Sequence, residues 1–567
     1  MPHYSFPTPW FETYRKQGIP ADLSVRPTEP IYSLPDSAAR DYPDRPAIIY
    51  DDTVVTYAEL KELSDRFAGA LKRIGVKRGE RVAVMLPNLP QTIVAFWGVI
   101  KAGAVLVMTN PFYMETEIAY NMNDSGAKYM VLADTLWAKV SAIRPRIPIQ
   151  HFIITDGADG HALPYAKIVE RAASGDRPQG IVWSSTVHSW AEFIAGAEPC
   201  VPKNFDPEDV ILFQYTGGTT GVSKGVMLTH ANMVANCRQF MDHMHLYREK
   251  EEVLVSIMPF FHVYGLTVGL VLSSALACGT VPIPRYVPLD MLRILSSVKA
   301  TMFVSAPAVF TSLLQQKTLG DYDLTSIRLC VSGSAPLPAE VSSRFSEISG
   351  AYIVEGYGLT EASPVTHFTP MGVTSKVCSI GVPLPGTIAR IVDMDNGELD
   401  MPVGKVGELI VRGPQVMRGY WKRPDETANA LRNGWLYTGD IAMMDDEGYF
   451  YIVDRKKDMA IVGGYNVYPR EVDEVLMSHP GIAEAVTVGI PEGIRGEVLK
   501  AFIVPKADYD LRKSDIVAFC RKKLAPYKVP RNIEFRDELP RTAVGKILRR
   551  ALRDEEQKKR AEKEASR

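Results

Sequence analysis

The sequence predicts an α/β protein: a large N-terminal part of βαβ sheets with a small β-barrel-like unit, then a small α+β C-terminal part. Three observations carry that expectation. Through the first two-thirds, short apolar runs alternate with helix-patterned stretches, the mark of βαβ units and a largely parallel sheet. After about Ile380 the texture changes to short β-rich pieces punctuated by glycine. At Asp454-Arg455-Lys456-Lys457-Asp458 a charged knot interrupts the pattern. The boundary is placed there, giving expected domains at 1–453 and 459–550, a link at 454–458 and a charged tail at 551–567.

Taken in order, Arg81 to Leu86 reads as a buried strand, Pro87-Asn88 as its turn and Gln91 to Ala102 as a helix. Further buried strands are expected at Tyr129 to Leu132, Ile211 to Phe213, Met302 to Val304 and Leu329 to Val331. In such sheets ligands bind at the carboxyl ends of the strands. The barrel-like unit is expected from Thr387 to Val392, Gly407 to Val411 and Tyr449 to Val453. Beyond the knot, Pro469 to Ser478 reads as a helix with proline in its first turn. Ala485 to Val488 and Ala501 to Val504 read as strands, and Arg549 to Arg567 as a solvated helix of mixed charge.

The 567 residues exceed one compact core. Lys plus Arg number 64 against 66 Asp plus Glu, a balance that gives no long-range pull toward nucleic acid. The six cysteines form no CxxC pair and no Cys/His cluster, so neither a zinc site nor a disulfide scaffold is expected, and a reducing cytoplasm fits. Met1 to Trp10 lacks the basic-then-apolar pattern of a signal peptide. The uncharged run Val253 to Pro284 is broken by Pro259, His262 and several Gly and Ser residues. It reads as strand, loop and buried helix, not as a membrane span.

The chemistry begins at Tyr215-Thr216-Gly217-Gly218-Thr219-Thr220-Gly221-Val222-Ser223-Lys224-Gly225, directly after the strand Ile211-Leu212-Phe213. Glycines let backbone amides approach an anion, the threonine hydroxyls add donors, and Lys224 adds positive charge. Together they suit a polyphosphate. The spacing is not that of the G-x-x-x-x-G-K-[ST] loop, because Gly225 follows Lys224.

This stretch, continuing to Thr229-His230, resembles the phosphate-binding signature of the adenylate-forming superfamily, which includes acyl-CoA synthetases, peptide-synthetase adenylation domains and firefly luciferases. The resemblance runs from about Tyr57 to Arg550, with several further motifs in the family's order, and is nearest to medium- and long-chain fatty acid–CoA ligases. It implies ATP, Mg²⁺ and coenzyme A as the cofactors of an AMP-forming acyl-CoA synthetase, and a mobile C-terminal domain. Gly333, Ser334 and Ala335 resemble the adenine-side loop. In Glu355-Gly356-Tyr357-Gly358-Leu359-Thr360-Glu361, Tyr357 would stack on adenine, Thr360 would donate to the α-phosphate, and Glu361 would ligate Mg²⁺. Glu355 stands where some relatives carry Gln. Asp440, in Trp435 to Asp440, would accept from both ribose hydroxyls, and Arg455 would contact ribose or phosphate.

His262 and Tyr264, in Met258 to Gly265, would line the acyl site, although a lone His among apolar residues is often a core residue. Arg285 matches a basic position used for the nucleotide end of CoA, and Gly463-Gly464 a loop lining the pantetheine channel, where some relatives have Lys at the first position. Lys546, in Pro540 to Arg550, resembles the catalytic lysine, and Lys457 would be the hinge about which the small domain turns between half-reactions.

A carboxylate is a poor acyl donor until its oxygen is carried away as AMP. Attack on the α-phosphate builds negative charge, which Mg²⁺, the loop donors and Lys546 would stabilise. The resemblance thus implies a small-molecule acid, ATP and CoA as partners, and leaves open a homodimer and a weak peripheral membrane contact. An aryl or alicyclic acid is the alternative substrate. A peptide-synthetase adenylation domain, with its following carrier domain, a luciferase-like oxygenase and a non-catalytic nucleotide sensor are the competing readings.

Overall fold

A computed structural model describes residues 5–22, 27–202, 204–216, 223–245, 251–335, 337–372, 376, 378–462, 465–492, 497–506, 509–542 and 545–565. The chain divides into two compact units, one comprising Trp10–Ile388 with Val411–Leu436, the other chiefly Ala389–Ile410 with Tyr437–Arg567.

The first unit holds two large sheets. One runs Gly419–Tyr420, Lys224–Thr229, Val210–Thr216, Val105–Met108, Arg81–Met85, Tyr129–Ala133, His151–Thr155, Val187–Ser189. From Val210–Thr216 onward its neighbours are parallel, with Val82 beside Leu106 on one side and Tyr129 on the other. The other runs Val382–Pro383, Val365–Phe368, Tyr352–Gly358, Leu329–Ser332, Met302–Ser305, Val253–Ser256, Gly279–Pro282, Pro46–Tyr50, Thr53–Thr56. Its central six strands are parallel and antiparallel strands close both edges. The central strands are buried along their length because helices cover both faces, which is why they read as continuous apolar runs without alternation.

Helix starts follow local chemistry. Thr56 and Glu59 form a reciprocal cap for Tyr57–Arg73, Pro90 opens Pro90–Lys101, and Thr229 caps His230–His243 through the amide of Asn232. The uncharged run contains the strands Val253–Ser256 and Gly279–Pro282. Between them a buried helical stretch is wound as a π-helix over Gly265–Val271 and as an α-helix over Leu272–Leu276. Gly265 permits the close crossing there, since a Cβ would lie 2.3 Å from the Met258 carbonyl oxygen and 2.4 Å from that of Pro259. Among the described residues no helix is long and apolar enough to cross a membrane.

In the second unit, residues 389–392, 407–410, 437–444 and 450–455 hydrogen-bond side by side in that order. The antiparallel hairpin Ala460–Val462/Tyr465–Val467 follows. Then Ile482–Pro491 pairs antiparallel with Glu497–Pro505, which pairs parallel with Asn532–Phe535. This sheet alternates. Ala485, Ala501 and Ile503 face the helices Pro469–Met477 and Lys513–Arg521 through Val472, Leu476, Ile516 and Cys520. Val486, Val488 and Phe502 face Leu552 of the helix Arg549–Ala565.

One buried charge cluster stands out in the first unit. The ammonium of Lys101 is fully buried and donates to Asp36 Oδ1 at 2.7 Å, Asp65 Oδ1 at 2.6 Å and Ser64 Oγ at 3.0 Å, joining three elements. Removing the cation leaves Asp65, itself nearly buried, with only the part-exposed Lys61 ammonium on its other oxygen at 2.5 Å, and leaves Ser64 and Asp36 without their shared donor. Lys101→Met should lower stability by about 3–5 kcal/mol, read as a shift of the urea midpoint of the first cooperative transition. A wild-type midpoint would show that water screens the cluster.

Candidate active site

The polyphosphate motif sits on a hairpin. Val210–Thr216 runs into Lys224–Thr229 with Thr216 opposite Lys224. Gly217, Gly218, Thr219, Thr220 and Gly221 lie outside the described residues. Ser223 Oγ donates to the Thr216 carbonyl at 2.8 Å and closes the base of the loop. Lys224 forms an ion pair with Glu426 and lies 5.2 Å from the centre of the Tyr420 ring. Burial pushes its ammonium below the ordinary lysine range, against the pull of Glu361.

Next to it comes the segment Tyr352–Gly358 and its sequel. Tyr357 pairs across the ladder with His367, the two rings meeting edge-on at 61° with their centres 6.0 Å apart. The carboxylate of Glu355 accepts from the Leu337 amide at 2.9 Å and ties the loop that follows Leu329–Ser332 to this strand. In that loop Gly333 presses on Tyr264, since a Cβ would stand 3.0 Å from its ring. Ser334 takes a left-handed conformation, φ 72°, and Ala335 is exposed. Thr360 is buried, and Glu361 Oε1 accepts from the Tyr420 hydroxyl at 2.8 Å. Burial and the Glu361 charge both raise the Tyr420 pKa, so this hydroxyl stays protonated and donates.

The aromatic motif leads into the π-helix. The Tyr264 hydroxyl reaches the Ser305 and Val331 carbonyls at 3.0 and 3.1 Å, at the carboxyl ends of two parallel strands. His262 is half-buried, and its Nδ1 accepts from the Tyr264 amide at 3.3 Å. Two buried amides hold the turn. Asn88 donates to the Met258 carbonyl at 3.0 Å and accepts from the Phe260 amide at 2.7 Å, and Gln214 donates to the Phe261 carbonyl at 2.7 Å. Arg285 is exposed.

In the second unit, strand pairing sets Asp440 opposite Arg455, and Arg455 Nε lies 2.9 Å from Asp440 Oδ1. Asp440 is nearly buried. Lys546 rides a tight turn in which the Thr542 amide donates to the Lys546 carbonyl at 2.8 Å and the Lys546 amide to Thr542 Oγ1 at 3.1 Å. Lys546 is exposed, and Arg455 lies close enough that its charge pushes the ammonium down to about 8, while Asp440 pulls the other way. Sequence motifs 106 positions apart therefore share one electrostatic environment. Around Lys457, the last helix grips the chain. Arg549 lies 3.4 Å from Asp454, and Arg553 3.0 Å from Asp458 and 3.5 Å from the Lys457 carbonyl. Gly463 and Gly464 lie outside the described residues.

Tyr420, Glu426, Asn88 and Gln214 escape sequence reasoning. Asn88 reads there only as a turn residue, and no local pattern links Tyr420 to a carboxylate 59 positions away.

The AMP-binding enzyme family matches residues 35–421, and the family's C-terminal domain matches 471–546. The chain belongs to the AMP-binding enzyme family. Within it, the chain is 44% identical over 555 residues to a long-chain-fatty-acid–CoA ligase of Bacillus subtilis, covering 97% of this chain and 98% of that one. It is 35% identical to a feruloyl-CoA synthase of Amycolatopsis, covering 92% and 98%. Among solved structures, an anthranilate CoA ligase in complex with anthranoyl-AMP matches with a TM-score of 0.82 at 26% identity, covering 94% and 98%.

The pair geometry makes a prediction of its own. Asp440→Asn removes the one carboxylate that raises Lys546 most, so its pKa should fall below about 8. The pH dependence of Lys546 labelling by an amine-selective reagent, followed by peptide mass spectrometry, reads the change. An unchanged or higher value would show that the two groups do not sense each other.

Proposed function

We propose that this protein is an AMP-forming acyl-CoA synthetase that converts a medium- or long-chain fatty acid, ATP and CoA to acyl-CoA, AMP and diphosphate. The observation that carries it is near-full-length likeness to long-chain-fatty-acid–CoA ligases. The acid–thiol ligase class follows from the same likeness.

Tyr357 is the adenine platform, with Gly333 and Ser334 at the edge of the base. Thr216, Lys224 and the glycines and threonines between them receive the β- and γ-phosphates, and Thr360 donates to the α-phosphate. Asp440 accepts from the ribose hydroxyls, with Arg455 beside it. Glu361 fits Mg²⁺ as a hard oxygen donor whose first oxygen is already oriented by Tyr420; bound there, the ion would neutralise charge on the phosphates. The acid's carboxylate attacks the α-phosphate, diphosphate leaves, and an acyl-adenylate forms. In the second half-reaction the CoA sulfur attacks the acyl carbon, and AMP leaves with the former carboxylate oxygen. His262 and Tyr264 border the acyl group, Arg285 and Gly463-Gly464 serve CoA, and Lys457 is the hinge between the two catalytic arrangements.

Lys546 belongs to the first half-reaction, where its ammonium offsets charge on the five-coordinate phosphorus. Its lowered pKa fixes the direction of a pH effect. Charge is present below about 8 and lost above it, so kcat/KM for adenylation should fall as pH rises through about 8. Lys546→Ala should slow adenylation on the order of 10²–10³-fold and abolish that pH limb. Supplied with synthetic acyl-adenylate and CoA, the same variant should form thioester at near the wild-type rate. Equal losses in both half-reactions would reject the two-arrangement account.

A second reading, an aryl acid substrate, draws on the feruloyl-CoA synthase likeness and on a tyrosine at the acyl motif. Fatty acids of graded length assayed against ferulate and benzoate by diphosphate release separate the two. The fatty acid reading requires the higher kcat/KM to fall among the unbranched chains, and a preference for ferulate would overturn it.

A further inference from the structure

The cations around the polyphosphate motif are already matched by carboxylates. Lys224 pairs with Glu426, and Arg423 lies 3.5 Å from Asp124 and 3.9 Å from Glu426. Asp124 is held in turn by the Tyr215 hydroxyl at 2.7 Å. The position of Glu426 is set by backbone. Gly419–Tyr420 adds an edge to Lys224–Thr229, with Tyr420 beside Val226, and the Trp421 amide donates to the Gly225 carbonyl at 2.8 Å. The chain then turns at Pro424, and Thr427 Oγ1 accepts from the Tyr420 amide at 2.9 Å. That bond returns the first helical turn to the strand, so the Glu426 carboxylate faces the ammonium of Lys224. The lysine side chain is 13% exposed and the glutamate side chain 31%, so the pair is reached by water from the glutamate side.

We propose that Glu426 is an internal counter-anion, which the polyphosphate of ATP displaces from Lys224 and which returns to Lys224 as diphosphate leaves. This rests on the reading that Lys224 receives the polyphosphate. A cation freed entirely of carboxylates would hold ATP tightly and hold the product diphosphate equally tightly. With Glu426 in place, binding exchanges one oxyanion for another, and the net electrostatic gain on each side of the reaction is small. The partly exposed carboxylate can swing away without leaving a buried unpaired charge, because water reaches it. Tyr420 stands between the two carboxylates near Lys224: its hydroxyl donates to Glu361, and its ring lies against Lys224, whose direct ion-pair partner is Glu426.

The test compares Glu426→Gln, which keeps shape and removes charge, with Asp425→Asn, which removes a neighbouring charge from the same helical turn. KM for ATP and the inhibition constant of inorganic diphosphate are measured for both at low and at high salt. Glu426→Gln should lower both constants by about two- to fivefold, as for one partly exposed ion pair, with the gap narrowing at high salt. Asp425→Asn should change them by less than half as much. Equal effects of the two variants, or a rise of both constants in Glu426→Gln, would overturn the proposal. Lys224→Met checks the reading beneath it. Unchanged ATP and diphosphate constants in that variant would remove Lys224 from the polyphosphate site, a failure distinct from that of Glu426.

Discussion

Cations that the proposed chemistry uses are held against carboxylates of their own unit. Lys224 faces Glu426, Arg455 faces Asp440, and Lys546 feels both members of that second pair. This arrangement answers a difficulty common to enzymes that handle polyphosphates. Unpaired ammonium and guanidinium groups in a half-buried site are costly to desolvate, and once engaged by a polyanion they release it slowly. Paired cations keep their positions between turnovers and give up their partners to substrate oxygens. The lowered pKa of Lys546 is the measurable trace of the crowding that results, because a second positive group sits beside it.

The sheets explain why these groups are where they are. Parallel strands buried on both faces deliver their carboxyl ends together, and the motifs stand at those ends. Ser305 and Val331 offer carbonyls to Tyr264, Ser332 leads into Gly333, and Thr216 faces Lys224. The strand Tyr352–Gly358 is parallel to Leu329–Ser332 on one side and antiparallel to Val365–Phe368 on the other. Tyr357 thereby stands beside His367, a neutral ring whose burial pushes its pKa down to about 3. The π-helix after Tyr264 belongs to the same design, since Gly265 lets the chain cross two carbonyl oxygens too closely for any side chain.

Much of this is legible in sequence because it depends on short-range pattern. Runs such as Arg81 to Leu86 announce buried strands, and motif order announces the family. The uncharged run from Val253 to Pro284 also resolves into the expected strand, loop and buried helix, followed by a second strand, Gly279–Pro282, that the sequence reading did not include. What stays illegible is pairing across the chain. Glu426 reads as one acid among several, and its bearing on Lys224 depends on an edge strand in which Tyr420 pairs with Val226, 194 positions earlier in the sequence. Asn88 looks like a turn residue until its amide is seen bracing Met258 and Phe260. The closeness of Arg455 to Lys546 is set by a hairpin and a turn that no local signal connects.

The central claim is that the acid's own oxygen leaves on AMP. It is tested most directly by supplying a fatty acid whose two carboxylate oxygens are heavy isotopes, with ATP and CoA, and weighing the products. An adenylate intermediate predicts AMP carrying one heavy oxygen and diphosphate carrying none. Label in diphosphate or phosphate, or unlabelled AMP beside newly formed thioester, would contradict it.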